Sequence, residues 1–178
     1  MTDQHRTDAQ TPAQMQAQSP AQAIAQATTQ GFAQTPSPTQ TQGTPFAHSI
    51  RVYWEDTDAG GIVFYANYLK FFERARTEWL RSLGIEQQAL REQCGGMFVV
   101  SETAVRYLAP ARLDDELLVT VQLLKGGRGS LTIGQQARQR NSGQLLCEAT
   151  IRIGWVDAAS LRPARIPATV LQGLPATP

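Results

Sequence analysis

The sequence predicts an α+β fold in which one antiparallel sheet wraps a single long helix. Three observations carry that prediction: strand-like alternation at 49–55, one long apolar-faced segment at 66–83, and four further alternating runs between 97 and 156.

The segment 49–55 (SIRVYWE) sets Ile50, Val52 and Trp54 against Arg51, Tyr53 and Glu55, the period of a half-buried strand. It runs into 56–61, whose Asp, Thr and Gly residues favour turns and helix caps. Within 66–83, Leu69, Phe72, Arg76, Trp79, Leu80 and Leu83 recur at steps of three and four. One face of that helix is therefore mostly apolar, with Arg76 interrupting the stripe or snorkelling along its edge. Gly84 stands where a helix ends in a left-handed residue, and a shorter helix is expected at 86–93.

Strands are expected at 97–108, 116–125, 131–140 and 145–156. Leu117, Val119, Val121 and Leu123 alternate with Leu118, Thr120, Gln122 and Leu124, and Ile151, Ile153 and Trp155 alternate with Arg152 and Gly154. The joints carry turn chemistry at Ala109-Pro110-Ala111, Gly126-Gly127-Arg128-Gly129 and Asn141-Ser142-Gly143, so the four strands read as an antiparallel meander. One helix covers one face of such a sheet, and the other face is expected to pair with a second subunit.

Composition divides the chain sharply. Residues 1–45 hold eleven Gln, nine Thr, eight Ala and five Pro, but only three charged residues, Asp3, Arg6 and Asp8. So few large apolar groups cannot offset the entropy of ordering, and 1–47 reads as a disordered Gln/Thr/Ala/Pro-rich tail. The folded domain is expected at 48–170, with a flexible C-terminus at 171–178. The tail lacks the basic start and apolar run of a secretory signal. No run of about 18 apolar residues suggests a membrane span. With a formal net charge of +1 and no basic run, nothing suggests a nucleic-acid footprint. Cys94 and Cys147 match no metal spacing and make no disulfide framework, which points to a reducing cytoplasm.

The chemistry concentrates in Glu55-Asp56-Thr57-Asp58-Ala59-Gly60-Gly61. Taken alone, Asp58 reads as a turn former or a helix cap. Three features favour a functional reading. Asp56 and Asp58 are two neighbouring carboxylates, Gly60 and Gly61 let backbone approach a ligand, and the helix that follows offers free N–H groups to a developing oxyanion.

The run RVYWEDTDAGGIVFYANYL at 51–69 resembles the signature of 4-hydroxybenzoyl-CoA thioesterase-like hotdog proteins. The runs FFERARTEWLRSL at 71–83 and YLAPARLDDEL at 107–117 resemble, more specifically, the bacterial Tol–Pal-associated acyl-CoA thioesterases. The resemblance covers about 48–168. It implies a hotdog fold, a five-stranded antiparallel sheet around one long central helix. It also implies dimers that commonly pair into homotetramers, with active sites at the dimer interface. Asp58 would be the catalytic carboxylate, as nucleophile or general base, and the backbone N–H of Tyr65 would polarise the thioester carbonyl. Asn67 and Tyr68 would serve the helix start and packing. The Tol–Pal-associated group usually carries His where this chain has Tyr65, and the hydroxybenzoyl type has Tyr. No cofactor or metal is implied.

Gly60 and Gly61 are candidate substrate-binding positions, with Arg128 and Ser130 as candidates for the phosphates of coenzyme A. Glu73 and Glu78 read as surface-paired helix residues, and Asp114-Asp115-Glu116 as a turn into a strand. The expected function is hydrolysis of a short-chain or aromatic acyl-CoA. A dehydratase would need a His beside an acid, and the only histidines are His5 and His48. A non-catalytic module, binding acyl-CoA or acyl carrier protein or serving a cell-envelope complex, is the alternative; Asp58 favours the enzyme.

Overall fold

The computed structural model describes residues 45–177, so most of the predicted tail lies outside the described residues. The elements are β1 (Phe46–Arg51), α1 (Asn67–Ser82), α2 (Gln87–Cys94), β2 (Gly96–Tyr107), β3 (Glu116–Gly126), β4 (Ser130–Gln139), β5 (Leu145–Asp157) and α3 (Ala168–Gly173). They form the expected α+β arrangement, one five-stranded antiparallel sheet and a long helix.

Two boundaries move. β1 starts at Phe46, which pairs with Val121, so 46 and 47 belong to the sheet although composition assigned them to the tail. At the other end α3 runs through the expected boundary at 170, with Val170 buried.

The first strand ends sooner than its alternation predicts. After Val52, whose N–H donates to the Asp115 carbonyl at 2.9 Å, the chain turns through 3-10 geometry at Trp54–Asp56. The Asp56 carboxylate accepts the Tyr53 N–H at 2.9 Å, and the Thr57 hydroxyl donates to the Trp54 carbonyl at 3.0 Å. These local bonds outcompete extension, as Asp and Thr side chains do. Trp54, predicted to point into the core, is 79% exposed, while Asp56 is buried.

The four later strands do not form a simple meander. Strand order is β1-β3-β4-β5-β2, so β3, β4 and β5 are sequential neighbours while β2 occupies the far edge against β5. The connection from β2 to β3 therefore crosses one end of the sheet. It is pinned there: Leu108 and Ala109 donate to the Leu146 carbonyl, Val63 donates to the Ala111 carbonyl at 2.9 Å, and Ala111 donates to the Tyr68 hydroxyl at 3.1 Å.

Helix α1 buries Tyr68, Phe71, Phe72, Ala75, Trp79 and Leu80 against inward residues of the sheet such as Val119, Leu131, Ile133 and Ile151. Leu69, assigned to the apolar stripe, is 42% exposed, because the buried face is centred on 68, 71 and 75 instead. Arg76 lies inside that buried face. Its Nη1 donates to Gln135 Oε1 at 2.8 Å, and Gln135 Nε2 donates to the Phe72 carbonyl at 3.0 Å. This polar clip ties helix to sheet in the core, satisfying groups that would each cost about 1–3 kcal/mol if left unpaired.

Candidate active site

The crossing connection and the start of α1 meet at one end of the sheet, and the Asp58 loop is held between them. Thr57 bridges to Val63 and Ile62 to Arg112, so both flanks of the loop are tied down. Within it, Asp58 N–H donates to the Ile62 carbonyl at 2.9 Å and Gly61 N–H to the Asp58 carbonyl at 3.0 Å. Asp58 Oδ1 accepts the Gly60 N–H at 2.8 Å, and among the described residues Oδ2 of this exposed side chain has no partner. Among the described residues no cation pairs with this carboxylate.

Both glycines are needed by this turn. Gly61 has a φ of 70°, a left-handed conformation that costs L-residues roughly 1–2 kcal/mol. A Cβ on Gly60 would stand 3.1 Å from Asp58 Oδ1, pressing on the carboxylate. Asp56, the other carboxylate of the motif, does not join Asp58. It is buried and spent on the Tyr53 N–H, and its carbonyl accepts Phe64 N–H at 2.9 Å and Asn67 Nδ2 at 3.0 Å. Asn67 thereby fastens the helix start to the loop.

Helix α1 begins without a side-chain cap, since its N-cap is Ala66. The initial N–H groups of a helix have no intrahelical partner, and among the described residues no backbone carbonyl accepts the Tyr65 N–H. An exposed carboxylate thus stands one short loop ahead of an uncapped helix start, an arrangement able to activate a nucleophile beside oxyanion donors.

Aromatic rings surround this point. The Tyr65 ring lies 4.6 Å from Phe64 and 6.2 Å edge-on from Tyr107, and Tyr107 lies 5.8 Å from Tyr68. Burial pushes the Tyr68 hydroxyl up to about 12 and also raises Tyr107, which Cys147 and Tyr65 push further. Burial likewise pushes the Cys147 thiol up to about 12, so it stays a packing thiol at neutral pH. Tyr107 and Phe64 were missed in the sequence because a lone aromatic beside a turn carries no periodic signal; their proximity to Tyr65 is a product of the crossing connection.

Of the expected site residues, Asp58, Gly60 and Gly61 share one turn, and Tyr65 follows it just ahead of α1, beside Phe64, whose N–H is held by the Asp56 carbonyl. Arg128 and Ser130 do not join them within one chain. They lie on the β3–β4 hairpin, whereas the Asp58 loop adjoins the start of β3 through Val52 and Asp115. Eleven residues of β3 separate the two ends, roughly 35 Å at about 3.3 Å per residue. The other acids are structural: Glu73 accepts from the Thr77 hydroxyl, Glu78 pairs with Arg81, Asp115 caps Arg112 N–H, and Glu116 binds Ser49 and Arg140. Among the described residues no cluster suited to a metal ion occurs.

Residues 52–174 match the thioesterase-like superfamily. The acyl-CoA thioesterase YbgC of Haemophilus influenzae is 42% identical over 125 residues, 70% of this chain and 90% of that protein. The chain belongs to the thioesterase-like superfamily. A second superfamily member, the Escherichia coli acyl-CoA thioester hydrolase YbgC, is 41% identical over 72% of this chain and 94% of its own. A crystal structure of a hypothetical protein from Aquifex aeolicus superimposes with a TM-score of 0.68 at 30% identity, covering 74% of this chain and all of that one. The five-stranded antiparallel sheet and long helix described above form the hotdog fold of this superfamily.

Proposed function

We propose that this protein hydrolyses the thioester of a short-chain or aromatic acyl-CoA, releasing the acid and CoA. The carrying observation is the Asp58 carboxylate, held by the Gly60 N–H on one oxygen and without a partner on the other among the described residues, ahead of the uncapped start of α1. Relatives named for acyl-CoA thioester hydrolysis, at 41–42% identity, support the reading.

In the general-base route, Asp58 Oδ2 takes a proton from water as the water oxygen attacks the thioester carbonyl. The C=O electron pair moves onto oxygen, which the Tyr65 N–H stabilises. Collapse expels the CoA thiolate, which takes up the proton. In the nucleophilic route Asp58 itself attacks, the C–S bond breaks and CoA leaves as the thiolate; water then opens the mixed anhydride, returning the Asp58 carboxylate, releasing the acid and giving a proton to the thiolate. Among the described residues the one histidine is His48, which lies in β1 paired with Val119.

The active unit in this reading is a homodimer, which pairs further into a tetramer. Arg128 and Ser130 reach the CoA phosphates of a neighbouring copy's site, because their own Asp58 lies at the other end of the sheet. β2 is a long edge strand whose outer side has no neighbour among the described residues, and such edges pair readily with a second copy. Among the described residues no helix is long and apolar enough to cross a membrane, and a cytoplasmic acyl-CoA, or an acyl carrier protein thioester, is the substrate source.

The test is thiol release from acyl-CoAs of graded chain length and from benzoyl-type CoAs. Turnover by the wild type, with loss of about 100-fold or more in Asp58→Asn, supports the reading. An Asn variant as active as the wild type would overturn the mechanism. Acyl-CoA binding with no turnover would favour a binding module instead.

A further inference from the structure

Helix α1 packs chiefly across β1, β3 and β4, leaving a trench between its exposed flank and the edge strand β2. The trench holds a cavity of about 540 Å³. Leu69, Val100 and Ile151 supply its apolar lining and Thr103 a hydroxyl. It opens beside the site, since Leu69 lies in the first turn of α1, four residues after Tyr65. Leu69, Glu73 and Arg76 follow one another at steps of four and three, so they form one line along the helix. That line reaches Arg76 about 10 Å beyond Leu69, at roughly 1.5 Å per residue.

The far end of the trench is unusual. Arg76 is 9% exposed, yet among the described residues only its Nη1 has a partner, Gln135 Oε1. Among the described residues no fully buried side-chain nitrogen lacks a partner, so its remaining N–H groups open to the trench rather than to the core. Burial lowers the pKa of this guanidinium, while Glu73 raises it; the charge nevertheless persists at neutral pH. Lys70 and Arg74 add positive charge at the rim, and among the described residues neither is ion-paired. Against them stands Glu73, whose Oε1 accepts the Thr77 hydroxyl at 2.8 Å. The result is an apolar trench leading from the first turn of α1 to a buried, half-satisfied cation with a net positive rim.

We infer that the trench receives the acyl group and that Arg76 selects acyl groups ending in a carboxylate over plain alkyl groups of the same length. This rests on the thioesterase reading above. The apolar stem of such a group lies along Leu69, Val100 and Ile151. Its terminal carboxylate accepts the Arg76 N–H groups that the protein leaves free, a charge-assisted bond. A plain alkyl end strips water from those N–H groups and returns nothing. Sites built to hydrogen-bond a substrate discriminate strongly against analogues lacking the bond, for this reason.

The experiment compares kcat/KM for adipoyl-CoA with hexanoyl-CoA, and for suberoyl-CoA with octanoyl-CoA, in the full chain. The wild type is expected to favour the carboxylated member of at least one pair by about tenfold or more. Arg76→Met is expected to bring that ratio to one or below, and Arg76→Lys to retain part of it. Because Arg76→Met orphans Gln135 Oε1, the double variant Arg76→Met/Gln135→Met, which removes both partners, gives the same readout if the single variant folds poorly. A wild-type ratio of one or less in both pairs overturns the inference, as does a ratio that Arg76→Met leaves within twofold. A change in oligomeric mass on Arg76→Met with unchanged acyl preference also overturns it, by making the trench a subunit contact. Binding of non-hydrolysable thioether analogues of adipoyl- and hexanoyl-CoA separates this inference from the proposed activity. Tenfold tighter adipoyl binding without turnover of any substrate would sink the hydrolase reading alone, whereas equal binding would sink this one.

Discussion

The two ends of the sheet differ in charge, in backbone geometry and in how they are held. Where β3 begins, Glu55, Asp56, Asp58, Asp114, Asp115 and Glu116 gather, and most of their carboxylates are committed to backbone N–H groups or to Ser49, Arg51 and Arg140. At the hairpin end, Lys125, Arg128, Arg162 and Arg165 stand exposed without ion pairs among the described residues, and the one nearby acid, Asp157, is occupied by Ser160. Arg165 is brought beside Arg128 because Ile166 N–H donates to the Arg128 carbonyl at 2.8 Å. In the function proposed above, the thioester of the substrate would sit at the acidic end and its phosphates at the basic end, a span that calls for two neighbouring copies.

The largest expected effect falls on the acidic end. Asp58→Asn should lower kcat by about 100-fold or more while leaving the melting temperature unchanged, measured by thiol release and calorimetry. The converse change lies at the basic end. A Cβ on Gly96 would stand 2.6 Å from the Trp155 ring, so Gly96→Ala should cost about 1–3 kcal/mol in denaturant unfolding and spare kcat in the folded fraction. If Gly96→Ala lowered kcat as Asp58→Asn does, the ends would not be separable.

Arg128→Ala should raise KM by about fivefold to tenfold, more at low salt, with little change in kcat, because a phosphate contact positions without reacting. Mixing the Asp58→Asn and Arg128→Ala chains under exchange should then restore activity at low substrate, through sites that take Asp58 from one copy and Arg128 from the other. Failure of subunit-exchanged mixtures to exceed the sum of the separate variants would show that each chain works alone.

The smallest effect is alkaline. Tyr68 and Cys147 have folded-state values raised to about 12 from 10.0 and 9.0, so the native state keeps protons that the unfolded chain releases. Their contribution to stability is full below pH 9 and lost as pH rises from there towards 12. Thermal scans should show a fall in that window and none from these groups between pH 6 and 8.

Much of this was legible in the sequence. The long helix, the four later strands and the turn joints emerge from periodicity alone, because burial against one partner surface imposes a period of 3.6 or 2 on a chain. The Asp58 loop was legible as well, through a motif whose Asp and Gly residues are demanded locally: Gly61 by its left-handed φ of 70°, Gly60 by its closeness to the carboxylate. Where side chains could satisfy backbone groups in more than one way, local pattern misled. Trp54 alternates like a core residue, yet the Asp56 and Thr57 bonds turn it outward.

Strand order, by contrast, was decided only in three dimensions. Alternation gives each strand a face and says nothing of its neighbour, so β2 reads as part of a meander until the crossing connection carries it to the far edge. The same crossing sets Tyr107 beside Tyr65, and packing of α1 turns Arg76 from a flaw in an apolar stripe into the Gln135-clipped end of a trench. Distances between residues far apart in the chain depend on which surfaces pack, and sequence spacing holds no record of them. The sequence by itself determined the elements and the Asp58 loop; tertiary packing alone decided that Arg128 stands at the opposite end from the carboxylate it was expected to serve.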